Sequence, residues 1–187
     1  MNDDIARERV LDAAAELFYA RGIQAVGMDE VRTTAGISLK RMYALFPSKD
    51  AIIAEVLLRR TAEWNAGIDQ AAENADGPQE KLLAIYDFLS GWFEQDNFRG
   101  CAFINSFGEL GASSPAIAGA ARAQKLAFQD YVATLVREAG APDALAPQLA
   151  ILAEGAQTTA AISGTPDAAR HAKLAARTLI DAALVAA

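Results

Sequence analysis

The sequence predicts an all-α protein, and three features of its 187 residues lead to that prediction. Hydrophobic residues make up 52% of the chain, which is enough to build a sizeable core. No stretch alternates apolar and polar residues as a half-buried strand does, whereas apolar residues recur at helical spacings throughout. Breaks rich in glycine and proline divide the periodic stretches into about nine segments, so we expect about nine helices.

The first three expected helices are closely spaced. The stretch NDDIARERVLDAAAELFYAR places Val10, Ala14, Leu17 and Phe18 on one face. It ends at Gly22, a residue type that commonly terminates helices. MDEVRTTA follows, with acids in its first turn, and then SLKRMYALF, in which Ser38 is placed to cap the first amides. The turn AGIS between the last two gives them the form of a helix-turn-helix, whose second helix can enter a DNA major groove.

The charge around this turn favours a contact with DNA. The chain has a net charge of −7, yet no Asp or Glu occurs from Val31 to Lys49. Residues 1–49 hold seven cations and seven acids, whereas residues 50–187 hold ten cations and seventeen acids. An acid on the outward face of the second helix would repel phosphate, which explains why none is found there. A helical hairpin with a solvated cationic face is the alternative that these residues leave open.

Longer helices are expected in the rest of the chain. Breaks occur at ADGPQ, QDNFRG, GASSP, AGAPD and SGTPD. We therefore expect helices over residues 48–74, 80–95, 115–138, 145–163 and 166–186, with a short one in CAFINSFGEL.

Several classes of function have no support in the sequence. With one cysteine, Cys101, and one histidine, His171, the chain has no internal disulfide and no Cys/His zinc site. No phosphate-binding glycine loop, histidine pair or nucleophile elbow is present, so we expect no enzyme, no metal and no cofactor. No basic and apolar leader opens the chain and no run of about 18 apolar residues occurs. We expect a cytoplasmic protein that does not bind membranes.

The segment RGIQAVGMDEVRTTAGISLKRMYALFPSKDAIIAEVL resembles the N-terminal DNA-binding domain of the TetR family of transcriptional regulators. The order and spacing of the family pattern are present in Arg21-Gly22, Asp29-Glu30-Val31, Ala35-Gly36-Ile37-Ser38, Tyr43, Phe46 and Ser48-Lys49-Asp50. The resemblance implies an N-terminal three-helix helix-turn-helix domain over residues 1–48. It also implies a helical domain for effector binding and dimerisation over residues 49–187.

The resemblance assigns DNA-contacting roles to individual residues. Tyr43 and Lys49 correspond to positions that contact or order the phosphate backbone, and Ser38 caps the recognition helix within reach of a phosphate. Met28 begins the second helix, whose N-terminal amides can meet phosphate. The remaining candidates share the outward face of the recognition helix and are Lys40, Arg41 and Ala44.

Lys40 and Arg41 depart from the family pattern, which often has a small residue followed by threonine or serine there. Arginine pairs naturally with guanine, so both long cations are candidates for contacts with base edges. Contacts with phosphate alone are the alternative. Because of this departure, no operator of another family member can be assigned to this chain.

The resemblance further implies an effector pocket and a dimer interface. The candidates for ligand contact are aromatic or polar residues of the middle and eighth helices: Phe88, Trp92, Phe103, Asn105, Phe107, Glu154, Gln157 and Thr158. The candidates for the interface are small or apolar residues of the last two helices: Leu149, Leu152, Ala156, Ala172, Ala175, Leu179 and Ala182. Packing within a single chain is the alternative for both sets.

These expectations describe a homodimeric repressor that binds a palindromic operator on double-stranded DNA and is released by a small-molecule effector of unknown identity. A transcriptional activator of the same fold is one alternative. A helical small-molecule-binding protein without a DNA role is another, and a DNA-binding protein whose pocket is filled by its own side chains is a third.

Overall fold

The computed structural model describes residues 2–185, which form nine helices and no strand, so the all-α prediction is confirmed. The helices are α1 (Asp3–Arg21), α2 (Met28–Ala35), α3 (Leu39–Leu45), α4 (Lys49–Glu73), α5 (Gly77–Phe93), α6 (Ala102–Leu110), α7 (Pro115–Glu138), α8 (Leu145–Ser163) and α9 (Asp167–Val185). Helix α5 begins three residues earlier than predicted, because Pro78 occupies its first turn, where the missing N–H has no helical partner to lose. None of the described helices is long and apolar enough to cross a membrane.

The chain divides into two compact units. The first runs to Ala62 and includes Ala102–Arg122, whereas the second consists of Glu63–Cys101 and the chain from Ala123 onward. The predicted boundary at residue 48 differs from this division, since the first half of α4 belongs to the first unit. The reason is apolar burial on that half of α4, where Ile52, Ile53 and Leu57 are each at most 3% exposed.

The core of the first unit is built on α1, which packs against α2 and α3. Regular apolar spacing on each helix supplies the buried side chains. They include Val10, Ala14 and Phe18 of α1, Val31 and Ala35 of α2, and Met42 of α3 with Phe46 at its end.

The core of the second unit lies where α5 packs against α8 and α9. Tyr86 of α5 is almost fully buried there, and its hydroxyl donates a 2.8 Å hydrogen bond to the carbonyl of Leu149. Burial raises the pKa of Tyr86 well above its usual value, so the phenol keeps its proton and its donor role.

Three residues predicted to face a partner chain are buried in this core. Leu149, Ala156 and Ala172 are each at most 7% exposed and belong to the cluster formed by α5, α8 and α9. Small residues on α9 allow close approach of helices within the protomer, which is the use that the sequence left as the alternative. The predicted contact of these three residues with a partner chain stays a prediction.

A cluster of aromatic rings fills the space around Trp64 of α4. Its ring meets Phe88, Trp92 and Phe128 edge-on, with centroid separations of 5.3, 5.8 and 5.5 Å. Gly67 lies one turn further along α4, and a Cβ at that position would overlap the Phe88 ring. Phe88 and Trp92 were predicted as ligand contacts. Their rings pack against Trp64 and against each other within the second unit.

Candidate DNA-binding surface

The turn between α2 and α3 is closed by backbone hydrogen bonds that a glycine makes possible. Gly36 has φ of 66°, a left-handed conformation that side chains with a Cβ disfavour. This geometry lets the N–H of Gly36 bond the carbonyl of Thr33 and the N–H of Ile37 bond that of Arg32, both at 3.1 Å. Ser38 then caps α3 as predicted, since its hydroxyl accepts the N–H of Arg41 at 3.3 Å.

The inner faces of α2 and α3 fix their relative orientation. Val31, Ala35, Met42 and Phe46 are each at most 5% exposed. Leu39 has the helical spacing of Met42 and Phe46, which predicts an inward position, but it is 41% exposed because it lies in the first turn of α3. Because these side chains are buried, α3 packs through its inner face and leaves its outer face exposed.

Three predicted DNA-binding residues share the exposed outer face of α3. Lys40 and Ala44 are exposed, and Tyr43 is 49% exposed. Neither the ammonium of Lys40 nor the phenol of Tyr43 has a hydrogen bond or ion pair within residues 2–185. Both polar groups are therefore available to a phosphate without the loss of an existing contact.

Arg41, on the same helix, is held by a carboxylate of α1. Its Nη2 lies 2.8 Å from Oδ1 of Asp3, and the Asp3 side chain is 77% exposed. The sequence did not predict this pair, because the two residues are far apart in the chain. A DNA contact by Arg41 therefore requires that the guanidinium exchange Asp3 for a base or a phosphate.

Lys49 has a role inside the first unit. Its ammonium donates to the carbonyls of Ile23 and Val26, at 2.5 and 2.6 Å, and lies 5.6 Å from the centroid of the Phe18 ring. Both carbonyls belong to the loop of residues 22–27 between α1 and α2, called here the α1–α2 loop. Lys49 thus orders the segment that leads into the helix-turn-helix, and its predicted contact with phosphate stays a prediction.

The opposite side of the α1–α2 loop is held by Glu109 of α6. Its Oε1 accepts the N–H of Ile23 at 3.1 Å and its Oε2 accepts the N–H of Gln24 at 2.9 Å. The Gln24 amide in turn donates to the carbonyl of Glu109 at 2.5 Å. The loop is therefore fixed between a cation on α4 and an anion on α6, which the sequence did not reveal.

Arg7 of α1 fastens the end of α3. Its guanidinium donates to the carbonyl of Leu45 at 3.1 Å, lies 4.4 Å above the centroid of the Phe46 ring and pairs with Glu55 of α4. A cation at the C-terminal carbonyls of a helix satisfies acceptors that have no helical donor. Arg7 therefore holds the C-terminal end of α3 from α1.

The predicted ligand-binding residues are divided between the two units. Phe103, Asn105 and Phe107 belong to the first unit, where Phe103 is buried and Phe107 is 53% exposed. Asn105 lines a cavity with residues of α1 and α4, whereas Phe88 and Trp92 line an open groove of the second unit.

The predicted polar ligand contacts on α8 also point in different directions. Gln157 is fully buried, Thr158 is exposed, and Glu154 lies 3.8 Å from the ammonium of Lys125. The three residues therefore do not form the single buried polar face that their spacing suggested.

Known regulatory proteins share this sequence pattern. The sequence profile of bacterial regulatory proteins of the tetR family matches residues 10–56. FasR, an HTH-type transcriptional activator of Mycolicibacterium smegmatis, is 33% identical over 94 residues, which cover 50% of this chain and 43% of FasR. KstR2, an HTH-type transcriptional repressor of the same organism, is 33% identical over 81 residues, which cover 43% of this chain and 39% of KstR2. The match thus spans less than half the length of either relative.

Solved structures extend the likeness to nearly the whole chain. SCO4454, a TetR-family transcriptional regulator from Streptomyces coelicolor, superposes with a TM-score of 0.89 at 25% identity, covering 96% of each chain. The sav143 protein of Streptomyces avermitilis gives a TM-score of 0.82 at 30% identity, covering 95% of this chain and 97% of its own. On the shared helix-turn-helix and this full-length similarity, the chain belongs to the TetR family of bacterial regulatory proteins.

Proposed function

We propose that this protein is a transcriptional repressor that binds a palindromic operator as a homodimer and is released by a small-molecule effector. The observation that carries the proposal is the exposed outer face of α3, which presents a cation and a phenol on a rigidly packed helix-turn-helix. Such a face supplies both of the interactions that operator binding needs, namely attraction to phosphate and access to base edges.

Six of the seven predicted DNA-binding residues have a defined part in this proposal. Lys40 and Tyr43 contact phosphates on either side of the groove, and Arg41 leaves Asp3 to read a base edge. Met28 begins α2, and Ser38 directly precedes α3. The backbone amides at these two helix starts face phosphate. Ala44 lies against the bases without a polar group, which leaves room for a close approach of α3 to the groove.

Dimerisation is supported by exposed apolar side chains on the last two helices. Ile151 and Ile162 of α8 are 68% and 83% exposed, and Leu174 and Val185 of α9 are 56% and 90% exposed. Large exposed aliphatic groups on two adjoining helices are typical of a surface that another protein covers. A second copy related by a two-fold axis is the occupant that we propose, because it would place two recognition helices on successive half-sites.

The direction of control is part of the proposal rather than a property of the fold. The relatives include an activator, FasR, and a repressor, KstR2. A repressor acts by occupying its operator and excluding RNA polymerase. Repression therefore does not require a further surface that contacts the polymerase. Release requires an effector that binds the DNA-free conformation more tightly than the DNA-bound one.

Selection of bound duplexes from a random DNA pool, followed by sequencing, tests the proposal. We expect enrichment of a palindrome whose half-site centres are separated by about one helical turn, or about 34 Å. Folded protein that enriches no sequence at low salt would exclude operator binding and favour the helical small-molecule-binding protein without a DNA role.

The Arg41→Ala variant should change base preference and not only affinity. Removal of a bidentate arginine–base contact relaxes discrimination at one position of each half-site by about 1–3 kcal/mol. Repeating the selection with the variant measures this directly. Arg32→Ala is the matched control, because Arg32 lies on α2 and pairs with Asp29 of its own helix. A uniform loss of affinity with unchanged base preference would show that Arg41 contacts phosphate alone.

A further inference from the structure

A cavity of about 320 Å³ lies within the first unit, bordered by α1, α4 and α6. Much of its wall consists of apolar side chains that are each at most 7% exposed, namely Phe18, Ile23, Ile53, Val56 and Leu57. The volume is at the lower end of the range for small-molecule pockets. An apolar cavity of about 150 Å³ is enough to hold benzene, so this one has room for a substituted ring.

The polar side chains of the described lining already have partners in the protein. The hydroxyl of Ser106 donates to the carbonyl of Ala102 at 2.6 Å, and the guanidinium of Arg60 lies 5.0 Å from the centroid of the Tyr19 ring. Tyr19, Arg60 and Asn105 each also have an interaction partner within the protein. A polar or charged ligand would therefore have to displace existing contacts, whereas an apolar ligand leaves them intact.

The last polar side chain of this lining, Glu109, is used by the α1–α2 loop. Its two carboxylate oxygens accept the N–H groups of Ile23 and Gln24, at 3.1 and 2.9 Å. Gly22 precedes these residues and also borders the cavity, and a Cβ on it would lie 3.1 Å from the same carboxylate. The wall of the cavity thus contains both the loop and the group that holds it.

We propose that this cavity binds a small uncharged arene, and that the bound ligand fixes the α1–α2 loop. The ring packs against Phe18, Ile53 and Leu57, and burial of its apolar surface drives binding. The polar side chains of the wall keep their present partners. The site goes beyond the proposed function, because binding of the arene requires neither DNA nor a second protomer.

The effect on the loop follows from its place in the wall. Opening of the loop would take Ile23 out of the wall and break its bond to Glu109. A ligand that binds only the closed wall is lost on opening, so it makes opening less favourable by mass action. The amide hydrogens of Ile23 and Gln24 should therefore exchange with solvent about threefold more slowly at a ligand concentration of about twice the dissociation constant.

Four probes with one phenyl ring separate the effects of charge from those of shape: ethylbenzene, benzyl alcohol, benzylamine and benzoate. Titration of the ¹⁵N-labelled protein without DNA, followed by NMR, measures their binding. We expect ethylbenzene to shift the amide signals of Gly22, Ile23 and Gly108 with a dissociation constant of about 1 mM or tighter. Benzylamine and benzoate are ionised at neutral pH and should bind at least about tenfold more weakly, because an unpaired charge is costly in an apolar cavity. Benzyl alcohol should lie between them, since its hydroxyl finds no free partner.

Two variants that fill the cavity locate the site. Ala15 of α1 and Ala102 of α6 both border it, so Ala15→Leu and Ala102→Leu each add a branched side chain to its wall. Each should weaken ethylbenzene binding by at least about tenfold, because a close-packed interior leaves no room for both groups. Ala20→Leu is the matched control, because Ala20 is exposed on α1 and does not belong to the described lining. The two filling variants lie on different helices, so a folding defect in one leaves the other as a test.

The outcomes of these titrations are distinct. Benzoate that binds more tightly than ethylbenzene would show that Arg60 selects an anion, and it would overturn the proposal. Absence of shifts with ethylbenzene, unchanged binding in both filling variants, or unchanged exchange of the Ile23 and Gln24 amides would overturn it as well. A protein that binds ethylbenzene but enriches no duplex would reject the proposed function alone, since the two assays are independent.

Discussion

Replacing Ile151 and Ile162 together with glutamate should dissociate the dimer and abolish detectable operator binding. Both side chains are largely exposed on α8 of the protomer, so the change leaves its core intact. In the proposed dimer each isoleucine loses about 1.5–3 kcal/mol of burial, and each new carboxylate would be buried beside its counterpart in the partner. A monomer contacts only one half-site and loses the gain in affinity from binding two half-sites together. Its affinity for the operator should fall by a factor of at least about 100.

Sedimentation equilibrium and a DNA mobility-shift assay measure the two consequences of this double substitution. Leu126→Glu provides the matched control, since Leu126 is 53% exposed on α7 and lies outside the proposed interface. The control should remain dimeric with unchanged operator affinity. Dissociation of the control, or a double variant that remains dimeric, would move the interface away from α8.

Replacing Lys49 with methionine should destabilise the first unit and weaken DNA binding while leaving the salt dependence of binding unchanged. Methionine keeps an unbranched apolar side chain but removes the two hydrogen bonds to the α1–α2 loop. A hydrogen bond from a charged donor contributes about 1.5–3 kcal/mol, so we expect a loss of about 2–3 kcal/mol in the free energy of unfolding after partial compensation by water. Urea denaturation measures this loss.

Lys40→Met should show the opposite pattern and is the matched control. Lys40 is exposed on α3, so its removal should leave the unfolding midpoint unchanged. Loss of one phosphate contact should lower the slope of log affinity against log salt concentration by about 0.9. If Lys49→Met lowers that slope and Lys40→Met does not, then Lys49 is the phosphate contact and its loop bonds are secondary.

The helix-turn-helix was predictable because its determinants are local. The left-handed glycine, the Ser38 cap and the apolar spacing of α2 and α3 all act within a few residues of one another. The inner core residues followed from that spacing, and Lys40 and Ala44 were assigned correctly to the exposed face. Local rules failed only at Leu39, where one end of a short helix extends past the core.

The interface and the supports of the recognition helix depend on long-range packing, which sequence spacing does not encode. Alanines on α9 suit a dimer or the protomer core equally well, and only the position of α5 decides that Ala172 is buried within the chain. Asp3, Arg7 and Glu109 are separated from their partners by 38 to 86 residues. Their partners are defined only after the fold has brought the helices together.

In the proposed complex with an operator, the pair of Asp3 and Arg41 has a consequence for the search along a chromosome. An exposed ion pair is worth at most about 1 kcal/mol, so it hardly competes with a well-placed guanine, which contributes about 1–3 kcal/mol. On a mismatched sequence the guanidinium can return to Asp3, so dissociation of the protein from that site costs little free energy. In that complex, such an internal competitor would shorten the residence time on wrong sites more than on the right one, so Asp3 would contribute to fidelity without touching DNA.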